Sequence, residues 1–309
     1  MLTVLSITFP VFAVMGIGYL SVWKGLFTPP EIRTLGKFIL NIALPARLFN
    51  AVATRDLSDV LNLPYLAAYA LAGLLTGGVA LLVLSAQGEG RARQAVGWIG
   101  VNSPNSAFIG FPLLSFFSPE IAGPVLAMNF LVENFLLVPI GLILLESAKG
   151  SGTSALSLLG RTILAVMQRP MMIALSLGLV AVLTGIHPPA TFQRLFGFIG
   201  ATAPALALFC VGGALVGLPL RGNKGLAAQI TLGKLFLHPA LTAAVLMIPA
   251  LTLAPDLQTA LILSAALPMF SIYTVLVQGS GEEGVASLAM LWANVAAVAS
   301  VTALLWALA

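Results

Sequence analysis

Charge is what this sequence has least of. Asp, Glu, Lys and Arg make up 8% of its 309 residues, where soluble domains carry roughly a quarter. Cysteine is almost missing as well. Cys210 stands alone in an apolar run, which excludes an intrachain disulfide and a cysteine metal cluster and leaves it a packing residue. There are only two histidines, His187 and His238, with no His-Glu-x-x-His helix, no glycine-rich phosphate loop and no paired aspartates for intramembrane proteolysis. An enzyme is therefore not expected, nor a metal or other cofactor. Without a nucleotide site, this chain alone is not expected to drive primary active transport. The net charge of +4 is scattered between hydrophobic runs. It reports on topology and does not suggest nucleic acid as a partner.

What the chain has in excess is hydrocarbon. Hydrophobic residues make up 59% of it and the mean hydropathy is +1.05. Apolar runs of about 20 residues fit membrane helices, whereas an outer-membrane barrel alternates and gives weaker signals. Ten spans are expected, near 3–23, 31–53, 62–86, 94–117, 120–146, 166–186, 192–217, 224–250, 256–279 and 284–308. The first is not a signal peptide, because its first basic residue, Lys24, follows the apolar run. The longest connection, about 147–165, opens with the Gly/Ser-rich Lys149 to Thr153. Leu156 to Gln168 then reads either as an interfacial helix or as the first turns of span 6.

Basic residues set the expected orientation. Loops after odd-numbered spans, with their flanks, hold Lys24, Arg33, Lys37, Arg91, Arg93, Lys149, Arg161, Arg169, Arg221 and Lys224, whereas the other loops hold only Arg55 and Arg194. The odd loops are then cytoplasmic and both termini lie outside. Five spans on each side of the long connection imply two halves of opposite orientation: an N-terminal repeat over 1–150, a cytoplasmic linker over 151–165 and a C-terminal repeat over 166–309. Internal echoes agree. Asn41-Ile-Ala-Leu-Pro45 in span 2 is echoed around Pro204 in span 7, and Pro104 in span 4 by Pro268 in span 9.

The stretch from Trp98 to Leu114 carries the strongest functional signal, because Asn102, Ser103, Pro104, Asn105 and Ser106 interrupt it in the middle. Proline removes a backbone hydrogen bond and clashes with the preceding turn. In lipid, broken backbone survives only inside protein or beside a polar cavity. The reading is a discontinuous helix facing a ligand, as in secondary transporters, set against a plain proline bend at a helix contact. Span 9 is broken at Pro268, followed by Ser271 and Thr274. Opposed half-helix N-termini at such a crossing would favour an anion, typically a carboxylate. Ser271 and Thr274 can equally bond back to their own helix.

Span 5 holds Asn129, Glu133 and Asn134, the first two on one face. A carboxylate at this depth is protonated, paired or beside water. Glu133 is then either a proton-coupling group or part of a structural salt bridge or amide network, with Lys234 of span 8 as its candidate partner. Arg47, two residues after Pro45, is either a substrate-facing charge or a snorkelling one. His238 can titrate or simply pack, and Asn294 of span 10 is either interior-facing or interhelical glue.

These residues carry a resemblance. Ser103-Pro-Asn-Ser-Ala-Phe-Ile-Gly-Phe-Pro-Leu-Leu114 is similar to the P-N-T-x-x-x-G-x-P-L-L signature of the auxin efflux carrier family, which includes plant PIN proteins and many bacterial members. Asn41–Pro45, Ala265–Pro268 and Leu232–Pro239 also resemble its bacterial branch. The resemblance implies an all-α integral membrane fold of ten transmembrane helices in two inverted five-helix repeats, of the bile-acid-symporter or NhaA-like type. Helices 4 and 9 would be broken and cross at Pro104 and Pro268. Helices 1, 2, 6 and 7 would form a scaffold that also makes a homodimer, and helices 3–5 and 8–10 a core moving by an elevator mechanism. The resemblance further implies a bacterial inner-membrane location and a small organic anion, auxin-like or another carboxylate, as substrate.

Residue by residue, Asn105 matches the amide facing the substrate carboxylate and Asn134 a helix-5 asparagine of the site. The expected pocket is then Asn102, Pro104, Asn105, Phe108, Asn134, Pro268 and Ser271, with Glu133, Lys234 and Arg47 governing charge. Two departures count. The long cytoplasmic loop of many plant relatives is missing, so their kinase regulation does not transfer. Ser264–Thr274 has no acidic residue, which speaks against the sodium coupling of the bile-acid branch. The alternatives are a sodium-coupled uptake symporter and a non-transporting membrane sensor.

Overall fold

The computed structural model describes residues 2–150, 154–218, 222–270 and 272–308. Every regular element among them is a helix. In chain order these are α1 (Leu2–Trp23), α2 (Pro29–Ala53), α3 (Leu63–Ala86), α4 (Arg91–Val101), α5 (Ser106–Phe117), α6 (Pro119–Ala148), α7 (Ala155–Met167), α8 (Pro170–Thr184), α9 (Ala190–Ala214), α10 (224–245), α11 (Pro255–Ala266), α12 (Tyr273–Leu276) and α13 (Glu283–Leu308), with single turns at Leu57–Val60 and Pro249–Leu251. The start of α2 shows how local chemistry sets an end. Pro29 and Pro30 occupy positions whose N–H groups would have no partner, while the Glu31 carboxylate accepts from the backbone N–H of Thr28 at 2.7 Å.

Four helices widen into a π-turn, at Ile39–Ala43, Ser106–Gly110, Glu133–Leu137 and Gly233–Leu237. Each ends two residues before a proline: Pro45, Pro112, Pro139 and Pro239. The cause is common to all four. A proline inside a helix lacks an N–H and collides with the carbonyl one turn back, and an extra residue in that turn moves the carbonyl aside.

Six helices are long and apolar enough to cross a membrane, and a seventh span results if α7 and α8, bent by 75°, are taken together. The protein is thus an all-helical, multi-pass integral membrane protein. The segments expected as spans 4, 8 and 9 fall short for local reasons. Spans 4 and 9 are interrupted by their prolines, and Lys234 and His238 lower the hydropathy of α10. Of the expected linker, residues 151–153 lie outside the described residues, and Leu156 to Gln168 folds largely as α7.

Contacts divide the chain into two compact units, neither of them a contiguous half. Unit 1 comprises residues 1–63, 106–130 and 165–217, and unit 2 residues 64–105, 131–164 and 218–309. In unit 1, α1 packs on the second part of α9, α8 and the first part of α9 pack on α2, and α5 packs on α9 and α1. In unit 2, α4 touches α6, α10 and α13, while Gly73 and Gly77 of α3 lie against the side chains of Leu137, Trp98 and Asn102. At the end of α4, Arg93 bonds Glu89 at 2.8 Å and Glu282 at 2.7 Å, tying α4 to the loop before α13.

Candidate functional site

The two proline breaks meet inside unit 2. One helix stops at Val101 and another at Ala266. The residues that follow run antiparallel to each other. The Asn105 N–H donates to the Pro268 carbonyl at 2.9 Å, the Phe270 N–H donates to the Ser103 carbonyl at 3.0 Å, and Pro104 pairs with Met269. Neither proline has an N–H to offer, so the exchange runs through their neighbours. An unpaired backbone group in hydrocarbon costs several kcal/mol, and here each break supplies the partners that the other has lost. Pro104 and Pro268 therefore sit where the sequence places them, at a crossing of broken backbone.

Two half-helix C-termini, those of α4 and α11, reach this crossing and carry partial negative charge and orphan carbonyls. Of the opposed N-termini expected from the sequence, that of α5 follows one break directly, at Ser106, and that of α12 follows the other. α12 is a single turn of four residues, too short for an effective dipole. The fully buried Lys234 meets one C-terminus directly: its Nζ donates to the Ala265 carbonyl near the end of α11 at 2.7 Å and lies 3.0 Å from Nδ1 of His238. His238 in turn lies near the Val101 carbonyl that ends α4, although its Nε2 makes no well-formed hydrogen bond.

From His238 the chain of contacts continues to Glu133. The His238 ring lies parallel to that of Tyr69, centroids 6.2 Å apart, and the Tyr69 hydroxyl donates to Oε1 of Glu133 at 2.9 Å. Glu133 and Lys234 thus belong to one buried assembly, connected through Tyr69 and His238. The π-turns beginning at Glu133 and Gly233 lie beside both charged groups, a placement common at functional sites. Tyr273 fastens the far side, its hydroxyl donating to the Val96 carbonyl of α4 at 2.9 Å. The Trp98 indole N–H donates to the Leu137 carbonyl at 3.0 Å.

Among the described residues, several polar atoms of unit 2 remain buried without a partner: both amide atoms of Asn102, the Ser103 hydroxyl, Nε2 of His238 and Oδ1 of Asn294. Asn102 is 1% exposed, and its amide lies against Gly73 and Gly77, where an added Cβ would meet it. Buried amides are usually hydrogen-bonded, so this is capacity for a ligand or water. Asn294 is buried and donates back to Met290 of its own helix at 2.8 Å.

Of the expected pocket, Asn102, Pro104, Asn105, Asn134 and Pro268 fall in unit 2, together with Glu133 and Lys234. Phe108 and Arg47 belong to unit 1, as does Asn129. Ser271 lies outside the described residues. Sequence reasoning missed Tyr69, Tyr273 and Trp98 as organisers of the site. Their one signal was an aromatic hydroxyl or indole N–H within an apolar span, where such groups seek a partner.

The sequence is similar to those of known membrane transporters. A family model described as "Membrane transport protein" matches residues 3–307. The chain is 28% identical over 211 residues to the uncharacterized transporter YfdV of Escherichia coli (strain K12), a match covering 66% of each protein and so just under two thirds of that relative. It is 26% identical over 321 residues to a putative malonate transporter of Rhizobium meliloti (strain 1021), covering 99% of this chain and 96% of the relative. With a match over nearly its whole length, and with the crossed proline breaks in place, this chain belongs to the membrane transport protein family, that of the auxin efflux carriers.

Proposed function

We propose that this chain is a secondary-active or facilitative carrier that exports a small organic anion across the bacterial cell membrane. The observation that carries the reading is the crossing of residues 102–105 with 267–270. Broken backbone inside a membrane protein is retained where it serves a binding site. The amides of Asn105 and Asn102 bind the carboxylate in this reading, and Asn134 lines the pocket. Lys234, held at the end of α11, and Glu133 set the charge of the site. The name of the Rhizobium relative makes malonate the first acid to try.

The topology proposed with it has ten spans in two inverted repeats and both termini outside. Spans 3–5 and 8–10 move in an elevator cycle, and spans 1, 2, 6 and 7 form the scaffold of a homodimer. The test is counterflow in proteoliposomes, in sodium-free buffer, with malonate and a panel of other mono- and dicarboxylates. Wild type accumulates one acid and a folded Asn105→Ala variant does not. Counterflow that survives in the variant would remove Asn105 from the site, and counterflow that needs sodium would make the protein a symporter. Binding without counterflow would make it a sensor. For coupling, Glu133→Gln flattens the pH dependence of counterflow, and a profile like that of wild type would reduce Glu133 to a structural group.

A further inference from the structure

Unit 1 has a membrane-embedded cation that the crossing does not use. Arg47 is half-buried on α2, six residues before the helix ends at Ala53. Its guanidinium sits over the Phe111 ring, 5.7 Å from the centroid. Among the described residues it takes part in no ion pair or hydrogen bond. Its stem is held in place. Gly200 of α9 comes so near that an added Cβ would stand 2.8 Å from Cβ of Arg47 and 3.2 Å from its Cδ. Three residues earlier on α9, Gly197 faces Asn50, three residues further along α2 than Arg47, and Oδ1 of Asn50 is buried without a partner. Two glycines spaced by three thus open a notch opposite two polar side chains with the same spacing.

Among the described residues, no ion pair neutralises the charge at this notch. Arg55 follows two residues after the end of α2. Nδ1 of His187 lies 3.4 Å from the Ala53 carbonyl, which brings the start of α9, and with it Arg194, to the same end of the unit. Among the described carboxylates, Asp56 and Glu120 are exposed and form no ion pair with Arg47. A snorkelling arginine extends toward water, whereas this one lies on a buried aromatic face. A guanidinium offers five donors in a planar fork matched to a carboxylate.

We infer that Arg47, seated on Phe111 with Asn50 beside it, is a carboxylate-binding site of unit 1, a second station for the organic anion in addition to Asn105. The choice of ligand rests on the organic-anion reading above. The residues and geometry are independent of it.

The test is the thermal melting of the purified full-length protein in detergent, titrated with benzoate and with succinate, with benzamide and chloride as controls. Asn105→Ala keeps an acid-dependent rise in melting temperature, and the Arg47→Gln/Asn105→Ala double variant loses it. In the Asn105→Ala background, Arg47→Lys weakens the apparent affinity about tenfold, as expected when a bidentate pair becomes a point contact. Gly200→Ala, which displaces the Arg47 stem without removing its charge, weakens it in the same direction and covers the case that the glutamine variant fails to fold. The site is overturned if the double variant responds like Asn105→Ala, if benzamide or chloride gives the same rise, or if neither acid stabilises the wild type. An error in the Asn105 reading shows separately, as unchanged counterflow in that single variant.

Discussion

The two units solve the problem of folding in lipid by different means. Unit 1 buries few polar groups, among them Thr8, Ser106 and Asn129. It holds its helices together by bringing backbones close: a Cβ on Gly18 would meet the Phe209 carbonyl, and one on Gly212 the Met15 carbonyl. Unit 2 buries Asn102, Ser103, Asn105, Glu133, Asn134, Lys234, His238 and Asn294 and joins its helices through hydrogen-bonded side chains. In hydrocarbon there is little hydrophobic force between helices, so close packing and interhelical hydrogen bonds are the available glues. Unit 1 relies on the first. Unit 2 accepts the desolvation of polar groups where broken backbone must be housed.

If this contrast is right, the same small change should act differently in the two units. Gly212→Ala drives a methyl into the main chain of α1, which cannot yield, and lowers stability by about 3 kcal/mol, the upper end of ordinary overpacking. Its counterpart in unit 2, Gly97→Ala, meets the end of the Leu84 side chain, which can turn away, and lowers stability by about 1 kcal/mol. Thermal melts of both variants in one detergent decide the matter, and equal losses would erase the distinction.

A smaller effect on stability, with a large one on transport, is expected from Lys234→Met. The variant strips the donor from the Ala265 carbonyl and from Nδ1 of His238, yet it also removes a charge from hydrocarbon. These terms oppose each other, so stability changes by about 1 kcal/mol or less, while counterflow is lost. A variant that unfolds instead would show that Lys234 is there to hold the fold. The smallest effect belongs to Tyr273→Phe. Losing its bond to the Val96 carbonyl lowers stability by about 0.6 kcal/mol, the mean for interhelical hydrogen bonds in membranes, measured by the same melt. A loss several times larger would make unit 2 as dependent on single contacts as unit 1.

Much of the site is legible in the amino-acid sequence. Pro104 and Pro268 announce their breaks because a missing N–H is a property of the residue itself. The π-turns before Pro45, Pro112, Pro139 and Pro239 follow from the same chemistry, and Glu133 and Lys234 stand out as charges in apolar spans. The meeting of Lys234 with the end of α11 is not legible there. Which helix end a buried cation meets depends on which segments pack together, and local pattern does not carry that. Nor are the tyrosines. The partner of Tyr69 is 64 residues away and that of Tyr273 is 177.

Composition and local pattern alone therefore determined a polytopic helical membrane protein with two proline breaks and buried charges in named spans. Scarce charge and long apolar runs permit little else, and proline acts on its own backbone. Only the tertiary structure decided which backbone groups pair across the breaks, that Lys234 closes the end of α11 and reaches Glu133 through His238 and Tyr69, and that Arg47 lies in unit 1 over Phe111. The physical reason is one of partners. A group that cannot satisfy itself locally in hydrocarbon must find its partner elsewhere in the chain, and where that partner lies is a property of the fold.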